Sequence, residues 1–375
     1  MTISRITILG DGQMGLVCAA ILASRLPSHA SGRGEGEGAH APVERTLPYP
    51  SLGEGGAQRA TRITLWGHTP QQVVALAGNR TSSRLKGFVL PASVEVVADD
   101  AAALDGADLV VCAVPTQHIR GVFTRLGKHI PKRAGVVSFS KGIENSTMLL
   151  PTGIIADSLG ELTPGKPTAR PLAALSGPTI AAELARCMPA TMVAASENAE
   201  FARTLQDLFT TNWMRIYTHP DLLGVELAGA TKNVIAIAAG VIDGLSAGYN
   251  AKSALLARGL AEIARLGVAM GAQRETFFGV AGVGDLATTC FSPEGRNRSL
   301  GEALGKGEKL EQYLARTESV VEGVATTRSV VDLAKRKDVE MPIAAAVHAV
   351  LFEGLDPLDA ITLLMTREPK RERVG

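Results

Sequence analysis

An excess of charge of either sign is missing from this sequence. Lysine and arginine number 38 against 37 acidic residues over 375 positions, a formal charge of +1, so nothing drives the whole molecule toward nucleic acid or an anionic membrane. The one basic block, Lys370 to Arg373, reads as a solvated tail. Cysteine is scarce: Cys18, Cys112, Cys187 and Cys290 stand far apart, three of them in apolar or small-residue settings. That spacing suggests neither a disulfide framework nor a metal cluster, and a reducing compartment is the simplest inference. No signal peptide is expected ahead of the first apolar run, and Lys232 interrupts the most apolar stretch, which argues against a membrane span. What is present is apolar material, 46 % of the residues, in a chain long enough for two domains with cores of their own. Composition fits a soluble, cytoplasmic enzyme.

Ile3 to Leu9 is a short apolar run with β-branched residues, followed at once by Gly10-Asp11-Gly12-Gln13-Met14-Gly15 and then by the Ala-rich segment Leu16 to Leu26. The order predicts strand, glycine turn, helix. Gly10 permits a tight turn, Gly12 lets backbone approach a pyrophosphate, and Gly15 lets helix pack closely on strand, while the helix amino terminus receives phosphate charge. The glycine spacing alone is weak evidence; directly after a first strand it points to a dinucleotide site. The plainer alternative is a glycine-rich turn that binds nothing. Asp11 is an objection, because a carboxylate beside a pyrophosphate repels it unless its side chain points away.

From Pro27 to about Ala60 the composition shifts to Gly, Pro, Ser, Glu and Arg, which buries little apolar surface. A disordered surface insertion is expected there, with a binding lid as the alternative. A strand resumes at Arg62 to Trp66. NAD-specific sites usually carry Asp or Glu at the end of this strand for the ribose hydroxyls, whereas Gly67-His68-Thr69 offers no carboxylate, so NADPH is allowed as well as NADH.

Further strands are predicted at Val94 to Ala98, Asp108 to Val114, Gly135 to Ser140, Leu172 to Leu175, Thr191 to Ala195 and Arg215 to Thr218. Their alternation with helical or loop segments indicates an α/β, Rossmann-like doubly wound and mainly parallel sheet. Pro115 and the Ser140-Lys141-Gly142 triplet fall at carboxyl ends of strands, where ligands of open sheets bind. Ser176-Gly177-Pro178-Thr179 forms a turn that could bind an anion or simply reverse the chain. After His219 the pattern becomes helical: Leu222 to Ile242, Ala251 to Met270, Leu310 to Leu314, Val324 to Lys335 and Ile343 to Phe352. The expected division is a dinucleotide-binding domain over 1–218 and an all-helical substrate and catalytic domain over 219–375.

Lys232 stands alone in the nearly uncharged stretch Leu227 to Ile242. On a helix its neighbours one turn away are Ala228, Gly229, Ile235 and Ala236, so no carboxylate is spaced for a surface ion pair. A desolvated lysine has a lowered pKa and can serve as general acid or base; the alternative is a lysine that snorkels to solvent from a core helix. Gly279 to Asp285 reads as a flexible glycine-rich loop running into Leu286 to Cys290, with Gly295-Arg296-Asn297-Arg298 shortly after. One Asp, a Thr pair and an Arg-Asn pair suit a ligand: Arg offers bidentate donors for phosphate, and Asp285 could tune a lysine amine. A charged loop that caps helices is the alternative.

In combination these motifs resemble bacterial NAD(P)-dependent glycerol-3-phosphate dehydrogenase. The resemblance spans nearly the whole chain outside the insertion, through Gly10 to Gly15, Trp66-Gly67-His68, Ser140-Lys141-Gly142, Ser176 to Thr179, Gly229 to Asn233, Gly284 to Leu286, Arg296 to Arg298 and Val320 to Gly323. It implies Lys232 as proton donor and acceptor, supported by Asp285 and Thr289. It implies substrate contacts from Lys141, Gly177, Thr179, Lys232, Asn233, Asp285, Gly295, Arg296 and Asn297. Cofactor contacts follow for Gly10, Gly12, Gln13, Met14, Gly15, His68, Lys141, Ala181, Arg296, Val320 and Glu322. No metal is implied. Gln13-Met14, Ile180 and Gly295 depart from the usual residues of the family.

The expected reaction is reversible reduction of dihydroxyacetone phosphate to sn-glycerol 3-phosphate, a supply for phospholipid precursors, with a homodimer left open as the assembly. The runner-up is a dehydrogenase for another small hydroxy acid. The non-enzymatic alternative is a dinucleotide-sensing module that binds the cofactor without consuming it.

Overall fold

A computed structural model describes residues 3–24, 62–163, 165, 168–317, 319–369 and 371. The expected insertion over 27–60 lies outside the described residues. The first half alternates strand and helix. Its elements are β1 (Arg5–Leu9), α1 (Gln13–Ala23), β2 (Arg62–Trp66), α2 (Pro70–Asn79), β3 (Val94–Val97), α3 (Asp100–Leu104), β4 (Leu109–Cys112) and α4 (Thr116–Leu126). There follow β5 (Gly135–Ser138), α5 (Pro151–Ser158), β6 (Leu172–Ser176), α6 (Ala181–Ala185), β7 (Ala190–Ala195), α7 (Ala199–Phe209) and β8 (Met214–His219).

The strands form one sheet in the order β3-β2-β1-β4-β5-β6-β7-β8, parallel throughout except where β6 meets β7. The inner strands β4, β5 and β6 are buried along their whole length, which is why they read as continuous apolar runs rather than alternating ones. Successive residues of β1 feed opposite faces. Ile6 and Ile8 join one core with Leu16 and Leu22 of α1, while Leu9 joins another with Trp66, Phe123 and Ile154. The chain leaves β1 toward β2 on one side and returns as β4 on the other. That reversal opens a crevice above the carboxyl ends of β1 and β4.

After β8 the described residues contain helices and no further strands: α8 (Leu222–Gly244), α9 (Gly248–Ala269), α10 (Asp285–Phe291), α11 (Arg296–Gly305), α12 (Leu310–Arg316), α13 (Glu322–Arg336), α14 (Pro342–Phe352) and α15 (Pro357–Met365). Two departures from the sequence reading concern the site. Val280–Gly284 is a turn of π-helix that runs straight into α10, so Asp285 and Thr289 sit on a rigid helix and not on a flexible loop. Arg296, Asn297 and Arg298 form the first turn of α11. Glycine's poor helix propensity hid both, and tertiary packing overrides it.

The axis of this half is α8. It is long and apolar enough to cross a membrane by length and composition, yet 94 % of its apolar window is buried inside the protein. It packs against α9, α10, α11 and α13. Against α11 the approach is backbone to backbone, since a Cβ on Gly240 would stand 1.9 Å from the Arg298 carbonyl oxygen and one on Gly301 the same distance from that of Ile237.

Candidate active site

The glycine turn after β1 has the geometry its spacing predicts. Gly10 adopts φ +112°, and a Cβ there would stand 2.8 Å from the Ala113 carbonyl at the end of β4. A Cβ on Gly15 would overlap the Gly10 carbonyl at 1.8 Å, so α1 packs as closely as glycine allows. Gly12 differs: nothing lies within 4 Å of the position its Cβ would take. It caps α1 without a side-chain hydrogen bond, and the first turn of α1 carries no acidic residue. Open space over uncapped amides at a helix amino terminus fits a pyrophosphate. Asp11 does not oppose it. Its carboxylate is held by Arg84 at 2.8 Å, and Gln13 donates to the Arg84 carbonyl at 2.7 Å.

At the end of β2, Trp66 donates through Nε1 to Asp100 at 3.1 Å, and Arg125 grips both oxygens of the same carboxylate at 2.6 and 2.7 Å. The Arg125 guanidinium also lies over the Trp66 ring and reaches within 3.4 Å of His68 Nδ1. Two arginines, Arg84 and Arg125, therefore flank the end of β2. Sequence reading missed both, because each is placed by partners dozens of residues away. Met14 and Ala181 lie at the margin of the core shared by α1 and the sheet.

The densest cluster of charged side chains in the crevice converges on Asp285, which is almost fully buried. Lys232 reaches one of its oxygens and Lys141 the other, each at 2.6 Å. Lys232 also donates to the Thr289 hydroxyl, whose own proton goes to the Asp285 carbonyl at 2.7 Å. Lys141 has two further acceptors, the Gly177 carbonyl at 2.9 Å and Thr179 Oγ1 at 3.3 Å. Gly177 takes φ +149°, where a Cβ would meet the Thr191 carbonyl. Burial is the main reason that Lys232 is pulled down to about 8; Lys141 adds to the fall and Asp285 opposes it. An amine poised there exchanges protons near neutral pH. The sequence made Lys232 visible through its uncharged helical neighbours; its carboxylate came from α10 instead.

A chain of amides ties this cluster to α11 and α13. Asn233 donates toward the Lys141 carbonyl at 3.4 Å and accepts from Asn297 Nδ2 at 3.0 Å, and Asn297 Oδ1 accepts from the Gly323 amide at 2.9 Å. Gly295 caps α11, and its amide bonds back to Ser292 at 3.2 Å. Among the described residues the Arg296 guanidinium makes no hydrogen bond and no ion pair, and it faces the Glu322 carboxyl, so its planar donors are available to an anion. Glu322 accepts from the Thr116 amide at the start of α4 at 2.8 Å, and burial raises its carboxyl. Val320, Val321 and Glu322 close a small cavity against Pro115, Thr116 and Gln117. Thr116, at the end of the β4 connection, escaped sequence reading, although Pro115 marked its place.

Residues 5–202 match the family described as NAD-dependent glycerol-3-phosphate dehydrogenase N-terminus, and residues 221–362 match its C-terminus counterpart. The chain belongs to this family. A glycerol-3-phosphate dehydrogenase [NAD(P)+] of Salinibacter ruber is 45 % identical over 311 residues, covering 83 % of this chain and 89 % of the relative. The enzyme of that name from Geobacillus kaustophilus is 44 % identical over 318 residues, covering 84 % and 91 %. Among solved structures, glycerol-3-phosphate dehydrogenase of Coxiella burnetii superposes with a TM-score of 0.83 at 30 % identity, covering 98 % of this chain and 100 % of that one. The family has the sheet-then-helices architecture described above.

Proposed function

We propose that this chain reduces dihydroxyacetone phosphate to sn-glycerol 3-phosphate with NADPH or NADH, and runs the reverse reaction, with Lys232 as the proton donor and acceptor. The activity and the nicotinamide cofactor follow from membership of the family. The residue roles rest on one observation: a buried lysine, pulled down to about 8, shares Asp285 with Lys141 and touches Thr289.

The bound nicotinamide supplies the hydride that adds to C2. As it adds, negative charge develops on the former carbonyl oxygen, and a proton held on Lys232 Nζ neutralises it. Asp285 and Thr289 orient that amine. Arg296 and Asn297 hold the substrate phosphate, and Gly177, Thr179, Asn233 and Gly295 shape the space between. Fixing the phosphate fixes C2, which is how remote binding serves the chemistry. The backbone of Gly10, Gly12 and Gly15, with Gln13 and Met14, cradles the pyrophosphate side of the cofactor. His68, Lys141, Ala181, Arg296, Val320 and Glu322 complete the cofactor contacts. The domain boundary falls near residue 218, with the dinucleotide turn before it and Lys232 after it; Gly177 and Thr179 serve the substrate from the first domain, and Arg296, Val320 and Glu322 serve the cofactor from the second. We place the enzyme in the cytoplasm, feeding glycerophospholipid synthesis.

Purified protein mixed with dihydroxyacetone phosphate and either NADPH or NADH tests the reading through the fall in reduced-cofactor absorbance. Turnover with at least one cofactor is expected. Cofactor binding without consumption would make the chain a dinucleotide sensor, and a preference for an unphosphorylated keto acid would favour the hydroxy-acid dehydrogenase.

A further inference from the structure

Lys141 and Lys232 end on the two oxygens of one carboxylate, so two amines share a single negative charge. Their hydrogen bonding is unequal. Lys141 Nζ has three acceptors around it, Asp285 Oδ2, the Gly177 carbonyl and Thr179 Oγ1. Thr179 spends its own proton on the Gly177 carbonyl at 3.2 Å, so all three positions call for an N–H that only the ammonium form supplies. Lys232 has two acceptors, Asp285 Oδ1 and Thr289 Oγ1. A neutral amine satisfies both with its two N–H groups and keeps a lone pair; an ammonium keeps one N–H. Lys232 is also the deeper of the two, its side chain 8 % exposed against 15 % for Lys141.

We propose that Lys141 is a charge-holding residue: it keeps a permanent positive charge on the shared Asp285, and thereby makes Lys232 the amine that releases and regains its proton. This rests on the reading of Lys232 as the donor. Were Lys141 neutral, Asp285 and Lys232 would form a simple one-to-one ion pair that holds the ammonium in place. Most other ionisable groups near α8 are engaged elsewhere: Lys252 and Arg298 share Asp243, Glu262 caps α14, and Glu226 bonds Thr152. Glu322 bonds the Thr116 amide and faces Arg296 and Lys141, so it stands on the Lys141 side of the cluster. The Cys290 thiol is pushed up to about 12 by burial and adds no charge. In the reductive direction an N–H bond of Lys232 breaks and an O–H bond forms on the substrate oxygen, and solvent returns the proton afterwards. In the oxidative direction the alcohol proton passes to the Lys232 lone pair.

The test is the pH dependence of kcat for glycerol 3-phosphate oxidation in Lys141→Met and Lys141→Arg, read beside a titration of the Lys232 side-chain nitrogen by NMR of lysine-labelled protein. Oxidation needs neutral Lys232, so kcat rises with pH through its titration, near 8 in the unaltered protein. In Lys141→Met the inflection and the NMR titration should both move up by ~1 pH unit or more, as expected when a like charge a few ångströms away is removed. Lys141→Arg, which keeps the charge, should leave both within about half a unit. The NMR titration reads the shift even where Lys141→Met turns over too slowly for a profile. A raised KM in Lys141→Met with the inflection and the titration unmoved assigns Lys141 to substrate binding alone and overturns the proposal. Failure of the underlying reading looks different: Lys232→Met would then keep both its rate and its inflection.

Discussion

Glu226 and Lys232 lie less than two turns apart on α8, both buried, and burial drives both toward neutrality: the carboxyl up to about 7, the amine down to about 8. Only the lysine has the surroundings that the proposed proton transfer needs. Both oxygens of Glu226 are taken by Thr152 at the start of α5, one by the amide at 2.9 Å and one by the hydroxyl at 2.6 Å. Lys232 keeps one hydrogen-bonding position unfilled and has a carboxylate beside it whose second oxygen carries another cation. A shifted pKa therefore marks burial first. It marks catalysis only where an unfilled position and a nearby counter-charge let the proton leave and return.

The sharpest way to break this comparison is Lys232→Met, which keeps length and helix propensity and removes the transferable proton. The rate should fall by ~10²-fold or more, the usual scale of general acid–base catalysis. NADPH affinity, measured by fluorescence titration, should survive, because the glycine turn and α1 are untouched. A variant that retains more than about a tenth of the rate would place Lys232 with Glu226 among structural groups.

The other end of the substrate offers a smaller effect. Arg296→Lys replaces a planar pair of donors with a point charge. We expect the specificity constant for dihydroxyacetone phosphate to fall more than tenfold, ~1.5 to 3 kcal/mol for a lost charge-assisted contact. Turnover of unphosphorylated dihydroxyacetone should change far less. Equal losses with both ketones would assign Arg296 to the cofactor or to the fold.

The elements that were legible in the sequence are those whose cause is local. Gly10 to Gly15 declared a turn because tight backbone approach requires glycine at fixed spacing, and the apolar strands and the long α8 showed their periodicity. Lys232 stood out because its own helix supplies no partner. Asp285 was legible as a carboxylate able to tune a lysine amine, and the resemblance pointed to Thr289 and Lys141, but the pairing of both amines on one carboxylate was not. Asp285 reaches Lys232 across 53 residues of chain and reaches Lys141 across 144, and no sequence window spans such pairings. The glycines at 279, 282 and 284 disguised the turn that delivers Asp285 as a loop. Arg84 and Arg125 looked like surface arginines until Asp11 and Asp100 fixed them beside the cofactor crevice. Glu226 left a trace, a lone glutamate at the head of an apolar helix, that passed unnoticed beside the more conspicuous lysine.

Glu226→Gln gives the smallest effect on rate and the clearest separation of the two buried groups. Glutamine can accept from the Thr152 amide and offer its own N–H to the hydroxyl, so the cap on α5 survives without an ionisable group. The Glu226 carboxyl is raised in the folded chain above its unfolded value of about 4.5. The folded state therefore binds the proton more tightly. The stability this contributes is fully present below the unfolded value and is lost as pH rises through about 7. Between pH 5 and pH 8 the unaltered protein should lose stability on this account, by on the order of 2 to 3 kcal/mol at most, whereas the glutamine variant should not. Thermal melts should coincide at pH 5 and separate at pH 8, with the variant melting higher. Glu262 is pushed up to about 7 in the same direction and leaves a residual slope in both proteins. The rate with dihydroxyacetone phosphate should stay within about twofold, since a group with no unfilled position has no proton to exchange with substrate. A tenfold loss of kcat with NADPH affinity intact would overturn the contrast and place Glu226 in the proton path of Lys232.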